Sequence, residues 1–110
     1  ALYSSLLTGS PEPNLRLSPE TLGQATMIRS NGVDAILAVE TNWAAGFLRN
    51  SLGIYGPNPS AFGHSGWGGS FAFADPENKL AFSYVMNAMG SELVGDPRTI
   101  GLLKEVYQAL

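Results

Sequence analysis

The stretch that decides the fold runs from Phe62 to Asn87 and reads FGHSGWGGSFAFADPENKLAFSYVMN. Within it, Ser70–Ala74 and Lys79–Asn87 are rich in aromatic and aliphatic residues and have the lengths of β-strands. Asp75-Pro76-Glu77-Asn78 separates them and is typical of a turn, because proline presets the backbone angle of the second turn position. The sequence therefore predicts a β-hairpin.

The second strand of this hairpin carries apolar side chains on both faces. Leu80, Phe82 and Tyr84 project to one side, and Ala81 and Val85 project to the other, because side chains alternate along a strand. A strand that is apolar on both faces is normally covered on both faces. We therefore expect this strand to lie in the interior of a sheet.

Helices are predicted on both sides of the hairpin. Ser18-Pro19-Glu20 has a capping side chain, a proline for the first helical position and an acid for the positive end of the helix dipole. Asn31-Gly32 is expected to end this helix. Asp96-Pro97 repeats the start signal and begins an amphipathic helix that packs on the sheet. Its apolar stripe consists of Ile100, Leu103, Tyr107 and Leu110. An earlier short helix is expected to end near Leu7.

The segments between these elements are less regular. Val33–Val39 is an apolar run for which strand and loop stay open, because periodicity does not separate the two at this length. Trp43–Leu48 is predicted as a strand, whereas Gly53–Ser60 is predicted as an irregular loop and Met89–Gly95 as a linker. The sequence as a whole predicts an α+β fold of the α/β sandwich type, with an antiparallel sheet flanked by helices.

Length and composition allow one small globular domain and argue against several functions. The six lysine and arginine residues among 110 are scattered and the net charge is −3, so no basic stripe is present and no nucleic-acid partner is expected. With one histidine and no cysteine, the usual zinc ligands are missing, and no cofactor is expected. No apolar run approaches the roughly 20 residues that span a membrane. The sequence does not indicate a compartment.

The densest candidate for chemistry is Gly63–Gly69, which contains His64 and Ser65. His64 cannot readily activate Ser65 as a nucleophile, because adjacent side chains on a strand point to opposite faces. The spacing fits neither G-x-S-x-G nor G-x-G-x-x-G. The glycines instead leave bare backbone that a ligand can approach closely. A free N–H in this stretch would suit a developing oxyanion.

The stretch from Phe62 to Asn87 resembles the third motif and the following hairpin of serine hydrolases related to class C β-lactamases and penicillin-binding proteins, a group that includes the family VIII carboxylesterases. Leu17–Thr21 and Trp43–Phe47 resemble segments upstream of that motif, so the resemblance covers essentially the whole chain. It implies the β-lactamase/transpeptidase-like fold, with residues 1–110 forming the C-terminal segment of a single domain.

The resemblance also implies roles for individual residues. His64-Ser65-Gly66 corresponds to the Lys-Thr-Gly or His-x-Gly triplet that binds substrate on a strand beside the active site. His64 would position substrate or steer protons, and Ser65 would donate a hydrogen bond to the substrate. The backbone N–H of Trp67 would be one oxyanion-hole donor. Histidine in place of lysine favours an ester over the carboxylate of a β-lactam.

Two motifs of that family, the Ser-x-x-Lys nucleophile motif and Tyr-x-Asn, do not occur in the sequence. The resemblance implies that both lie upstream of Ala1, in the remainder of the fold, which is then the expected partner of this chain. The complete protein would hydrolyse a small ester, amide or β-lactam through an acyl-serine intermediate. A non-catalytic binding or assembly module and a penicillin-binding D-Ala-D-Ala peptidase are the alternatives.

Residues 1–110 alone are expected to hydrolyse no ester and to gain no covalent adduct from a fluorophosphonate, because the expected nucleophile lies outside them. Intact mass spectrometry of the isolated chain after incubation with the probe measures the adduct directly. A single adduct, or ester turnover at a normal enzymatic rate, would place the nucleophile within these residues and contradict the assignment.

Overall fold

Within the part of the chain that the computed structural model describes, residues 2–8 and 17–110, six strands form one antiparallel sheet in chain order. The elements are α1 (Leu2–Thr8), α2 (Pro19–Thr26), β1 (Ser30–Val33), β2 (Glu40–Trp43), β3 (Leu48–Arg49), β4 (Phe62–Ser65), β5 (Phe71–Asp75), β6 (Leu80–Tyr84) and α3 (Pro97–Gln108). The predicted α+β fold, an antiparallel sheet with flanking helices, is confirmed.

The predicted hairpin is formed by β5 and β6. Its register pairs Phe73 with Phe82 and Asp75 with Leu80. The Asp75 carboxylate closes the turn by accepting the backbone N–H of Glu77 at 3.0 Å and the side-chain amide of Asn78 at 3.0 Å. The turn predicted from the Asp-Pro pair is therefore present, and its aspartate bonds to the backbone in the way that favours this residue in turns.

Two apolar clusters cover opposite faces of the sheet. Phe71 and Phe73 of β5 point to the face on which Leu103 of α3 packs. Ala74 of the same strand points to the other face and joins Leu6 of α1. Because alternate residues of one strand supply the two clusters, β5 is the element around which both layers of the core are built.

Helix α3 begins as predicted. The Asp96 side chain accepts the backbone N–H of Arg98 at 2.9 Å, and Pro97 occupies the first helical position. The predicted apolar stripe is only half correct, since Leu103 is buried and Tyr107 is partly buried, but Ile100 and Leu110 are exposed. The buried face is instead centred on Thr99 and Leu103, which are four residues apart on the helix.

The helix that starts at Ser18 is shorter than predicted. Its cap is confirmed by the 3.1 Å hydrogen bond from the Thr21 N–H to the Ser18 hydroxyl. However, α2 ends at Thr26, and Asn31 and Gly32 belong to β1, where they pair with β2. The Arg29 N–H donates to the Trp43 carbonyl at 2.7 Å, so pairing with the sheet takes over before the helix could reach these residues.

The strand predicted over Trp43–Leu48 is wrong. Trp43 and Leu48 are paired with each other across a tight turn that joins β2 to β3. The Ala44 N–H donates to the Phe47 carbonyl at 2.8 Å, and Gly46 has a φ of 83°. The small residues of this segment therefore serve a turn, which needs positive φ. In Val33–Val39, for which the sequence left strand and loop as alternatives, Val33 ends β1 and residues 35–37 form a turn.

The interior position predicted for the last strand stays a prediction for the complete sheet. Among the described residues, β6 lies at the edge of the sheet with β5 as its one partner. Its side chains are nevertheless partly buried on both faces, because α1 packs on one side and the phenylalanines of β5 lie beside Phe82 on the other. The apolar residues on both faces of the strand therefore indicate that both faces are covered. They do not indicate how many strands pair with it.

Replacement of Phe73 by alanine is expected to lower the free energy of unfolding by about 3–5 kcal/mol, the usual effect of emptying a fully buried aromatic site. Phe73 has no exposed surface. Urea denaturation of the full-length protein measures the change. Leu110→Ala is the control and is expected to stay within about 0.5 kcal/mol of the parent, because Leu110 is 69% exposed. Equal effects of both substitutions would contradict this description of the core.

Candidate functional site

The stretch His64–Trp67 lies where β4 runs past the end of β3. In the register, Leu48 of β3 pairs with Gly63, and the two residues after Gly63 pair with β5 alone. The chain before Leu48 turns away toward β2. Within residues 2–8 and 17–110, one edge of β4 is therefore unpaired at His64 and Ser65, and this end of the strand is the candidate site.

A cavity of about 270 Å³ lies beside this open edge and is lined by His64, Ser65 and Trp67, whereas Gly66, the third residue of the predicted triplet, lines a smaller cavity on the side of Asp96. Trp43 and aliphatic residues supply most of the remaining lining, with Asp34 as the one carboxylate and no lysine or arginine among the described lining residues. A larger cavity of about 410 Å³ lies between the 50s loop and α3, away from the triplet. The cavity of about 270 Å³ is the one that His64, Ser65 and Trp67 share.

His64 is exposed on the cavity wall. Its Nδ1 lies 2.8 Å from the backbone oxygen of Ser65, and its ring centroid is 5.6 Å from that of Trp43. A carbonyl oxygen only accepts hydrogen bonds, so Nδ1 donates and Nε2 of the neutral ring is left as an acceptor. The contact thus selects one tautomer and directs one ring nitrogen away from the strand.

The side chain of Ser65 has a different partner. Its hydroxyl lies 3.1 Å from the Tyr55 hydroxyl, and either group can donate in this hydrogen bond. Tyr55 is fully buried, and burial raises the pKa of its phenol to about 12, against a smaller lowering by Ser65. The phenol is therefore neutral at physiological pH. His64 and Ser65 do not form a nucleophile–base pair in the described contacts.

Trp67 begins the turn that joins β4 to β5. Gly66 donates to the Ser70 carbonyl at 2.7 Å, and Gly69 donates to the Gly66 carbonyl at 3.3 Å. The indole of Trp67 is mostly exposed and donates to the Ser91 carbonyl at 3.2 Å. The backbone N–H of Trp67, by contrast, makes no hydrogen bond to any described residue, so it is available to a ligand.

Asp34 fixes the cavity wall next to His64. Its carboxylate accepts the backbone N–H groups of Ile36 and Leu37 at 2.8 and 3.0 Å, and the indole N–H of Trp43 at 3.2 Å. The hydrogen bonds from Leu37 and Ile36, more than that from Trp43, hold the pKa of Asp34 below its ordinary value. Asp34 is therefore ionised at neutral pH and contributes a negative charge to the cavity.

The sequence did not reveal the part played by Tyr55. It lies in a segment predicted only to be irregular, and its partner Ser65 is ten residues further along the chain. A tyrosine in a loop rich in glycine and proline carries no local sign that its hydroxyl will reach a strand end. Only the packing of this loop against β4 and β5 brings the two hydroxyls together.

Two further observations limit the chemistry of the described residues. Residues 2–8 and 17–110 contain no cluster of three or more histidine, aspartate or glutamate side chains that could hold a metal ion. In the same residues, every helix is too short or too polar to cross a bilayer.

Comparisons with known proteins agree with this architecture. Residues 3–105 match the family model described as Beta-lactamase. A penicillin-binding protein homolog from Caulobacter crescentus is 43% identical, with a TM-score of 0.91 over 99% of this chain and 30% of that chain. A family VIII carboxylesterase is 39% identical, with a TM-score of 0.89 over 98% of this chain and 30% of that chain. EstA from Arthrobacter nitroguajacolicus Rue61a is 27% identical, with a TM-score of 0.76 over 96% of this chain and 29% of that chain.

The chain therefore spans about 30% of the length of the solved structures that it resembles. A comparison with curated proteins gave no match. The fold and the sequence matches define the class of β-lactamase-like serine hydrolases. The chain belongs to the β-lactamase family.

The indole N–H resonance of Trp43 is expected to titrate with a midpoint below 3.8, the ordinary pKa of an aspartate. As the pH falls through the depressed pKa of Asp34, the acceptor of the indole N–H loses its charge and the resonance moves. The stabilisation from Asp34 is thus complete above the unfolded-state pKa and is lost below the folded-state pKa.

A ¹⁵N-resolved NMR titration, with Trp43→Phe for assignment, measures this midpoint. Trp67 is the internal control, because its indole donates to a backbone carbonyl, which does not titrate. A Trp43 resonance that stays unchanged down to acid unfolding, or one with a midpoint above 3.8, would contradict the contact with Asp34.

Proposed function

We propose that the full-length protein is a serine hydrolase that cleaves small esters through an acyl-serine intermediate. Residues 1–110 supply the C-terminal segment of its single domain and one wall of its active site. The observation that carries this proposal is the edge of β4 that is unpaired among the described residues, where His64, Ser65 and Trp67 line one mainly apolar cavity and the Trp67 N–H bonds to no described residue. The 39% identity to a family VIII carboxylesterase supports it.

The reaction divides into acylation and deacylation. A serine outside this chain attacks the ester carbonyl, the bond to the alcohol oxygen breaks, and the alcohol leaves with a proton. Water then attacks the acyl-serine and releases the acid, so one ester and one water give one alcohol and one acid. By resemblance to the family, a lysine and a tyrosine outside this chain transfer the protons.

The backbone N–H of Trp67 stabilises the charge that develops on the carbonyl oxygen. In both steps this oxygen becomes an oxyanion, and a preorganised donor of this kind contributes about 2.7–4 kcal/mol in the transition state. The second donor is the N–H of the nucleophilic serine itself. Gly66 leaves the strand edge without a side chain, so the substrate can lie along the backbone.

Ser65 and His64 orient the substrate. Either hydroxyl can donate in the hydrogen bond between Tyr55 and Ser65; with the Tyr55 phenol as the donor, the serine proton is free to bond to the substrate. The Nε2 of His64 faces away from the strand as an acceptor, because Nδ1 is committed to the Ser65 carbonyl. Nε2 can therefore accept a hydrogen bond from the O–H of the attacking water or of the released alcohol, whereas the proton that the leaving oxygen needs comes from the residues outside this chain.

The charge of the cavity favours a neutral substrate. Its described lining is mainly apolar and contains the ionised carboxylate of Asp34 without a compensating lysine or arginine. A lysine, which would attract the carboxylate of a β-lactam, is replaced by His64. A neutral ester with an apolar acyl group pays less desolvation here than an anion does.

The partner of this chain is the remainder of the same fold. The outer edge of β6 has unpaired N–H and C=O groups among the described residues, and sheets rarely leave such an edge exposed. The chain also covers about 30% of its structural neighbours. The nucleophile motif and Tyr-x-Asn belong to that remainder.

A penicillin-binding peptidase is the second candidate. It is favoured by the 43% identity to a penicillin-binding protein homolog. Stable labelling of the full-length protein by a fluorescent penicillin, combined with slow ester turnover, would favour the peptidase. Absence of Ser-x-x-Lys from the full-length sequence would instead favour a non-catalytic binding or assembly module.

In the full-length protein, Ser65→Ala is expected to lower kcat/KM for a p-nitrophenyl ester by about 2-fold to 13-fold, the effect of losing one hydrogen bond worth about 0.5–1.5 kcal/mol. His64→Ala is expected to lower kcat by at least as much. Steady-state kinetics measure both changes. Ser51→Ala is the matched control, because Ser51 is exposed in the loop after β3. Unchanged kinetics in both site variants would remove the side chains of His64 and Ser65 from the site.

A further inference from the structure

The oxyanion-binding turn has little side-chain support of its own. Gly68 and Gly69 follow Trp67 with φ values of 91° and 112°. Glycine adopts such angles without steric cost, but it also moves between conformations more freely than any other residue. A donor that is useful in a transition state must be held in place before the reaction. The turn therefore needs an external support.

Arg98 of α3 provides one contact from outside the turn. Its Nη2 donates to the Gly68 carbonyl at 3.0 Å, and its Nη1 donates to the Ala88 carbonyl at 2.9 Å. The guanidinium is itself oriented by Asp96, whose two carboxylate oxygens accept Nε at 2.9 Å and Nη2 at 2.8 Å. Such a bidentate ion pair has a fixed geometry. The pair thus bridges the turn to the linker before α3.

Backbone hydrogen bonds complete the same bridge. Gly68 donates to the Glu92 carbonyl at 3.0 Å, and its carbonyl also accepts the Gly90 N–H at 2.8 Å. Both polar groups of Gly68 are therefore bonded to the linker. Nearby, a Cβ atom on Gly69 or Gly90 would lie 2.7 or 2.5 Å from Asp96 Oδ2. Glycine at both positions lets the carboxylate seat directly against the turn.

The contact between Asp96 and Gly69 affects the direction of the Trp67 N–H through one peptide plane. The Gly69 N–H donates to the Gly66 carbonyl, which belongs to the same peptide unit as the Trp67 N–H. In a trans peptide the C=O and N–H point in opposite directions within one plane. Asp96 packs against Gly69, Gly69 holds the Gly66 carbonyl, and the direction of the Trp67 N–H follows.

Asp96 is well placed to act as a fixed anchor. It is 4% exposed and caps α3, so its position is tied to a twelve-residue helix rather than to a loop. The hydrogen bonds from Arg98 hold the pKa of Asp96 below its ordinary value, so the carboxylate is charged at physiological pH.

We propose that Asp96 and Arg98 are positioning residues that hold the Gly66–Gly69 turn in the geometry in which the Trp67 N–H binds the oxyanion. The inference rests on the proposed function, since it assigns a support to that site. Neither residue contacts the substrate. The pair acts on the transition state through the turn, so its loss is expected to lower kcat more than it changes KM.

The test uses the full-length protein and four variants: Arg98→Ala, Arg98→Lys, Gly90→Ala and the control Arg29→Ala. Arg29 is an exposed arginine whose guanidinium bonds to Gln24. The measurements are kcat and KM for a p-nitrophenyl ester, inhibition by phenylboronic acid as a tetrahedral transition-state mimic, and the Tm. Added methylguanidinium tests for rescue of Arg98→Ala.

Arg98→Ala is expected to lower kcat about tenfold to hundredfold, the usual effect of a small misplacement of a catalytic group. The inhibition constant of phenylboronic acid is expected to rise by a similar factor. KM is expected to change less than threefold, because the lost interaction stabilises the transition state and not the bound substrate. Methylguanidinium is expected to restore part of kcat. Arg29→Ala is expected to match the parent protein in every measurement.

Two results would overturn the inference. Folded Arg98→Ala and Arg98→Lys proteins with kcat within twofold of the parent would show that the turn needs no support. A loss that follows Tm alone, with no guanidinium rescue and no change in boronate affinity relative to KM, would reduce the pair to a structural role. If Arg98→Ala does not fold, Arg98→Lys and Gly90→Ala decide by the same criteria.

A parent protein that neither turns over esters nor reacts with a fluorophosphonate removes the proposed function itself.

Discussion

The pairing of Gly63 with Phe73 is the constraint on which the rest of the structure depends. A Cβ atom on Gly63 would collide with the backbone oxygen of Ala72 and with Phe73, so β4 and β5 approach as closely as they do only because this residue has no side chain. The pairing sends Phe73 into the core. It also sets the register by which His64 and Ser65 leave the sheet at its open edge.

Helix α3 connects this sheet to both sides of the candidate site. At its far end, the Tyr107 hydroxyl donates to the buried carboxylate of Asp75 at 2.6 Å, and Asn58 donates to the same oxygen at 2.8 Å. Burial raises the pKa of Asp75, but the hydrogen bonds from Tyr107, Asn58 and Asn78 together outweigh it and lower that pKa. The loop that presents Tyr55 is thereby tied to the core, while the first turn of α3 lies against the glycine turn.

The chemistry expected of the site follows from what the family shares and what this chain changes. The structures similar to this chain include both a penicillin-binding protein homolog and a family VIII carboxylesterase. In the proposed site, the backbone N–H of Trp67 would serve acyl transfer on either kind of substrate, because both reactions form an oxyanion. In the same proposal, the charge of Asp34 and the absence of a lysine at His64 are the features that would separate them, since neither favours an anionic substrate.

The sequence by itself determined the features that depend on neighbouring residues: the Asp75 turn, the caps at Ser18 and Asp96, the antiparallel hairpin and the family. These signals are local, because a cap or a turn bonds to backbone groups within a few positions. Only the tertiary structure decided where α2 stops, that residues 44–47 form a turn, that β6 lies at the edge of the described sheet, and that Tyr55 meets Ser65. Each of these depends on pairing or packing between segments distant in the chain, for which no residue carries a local sign.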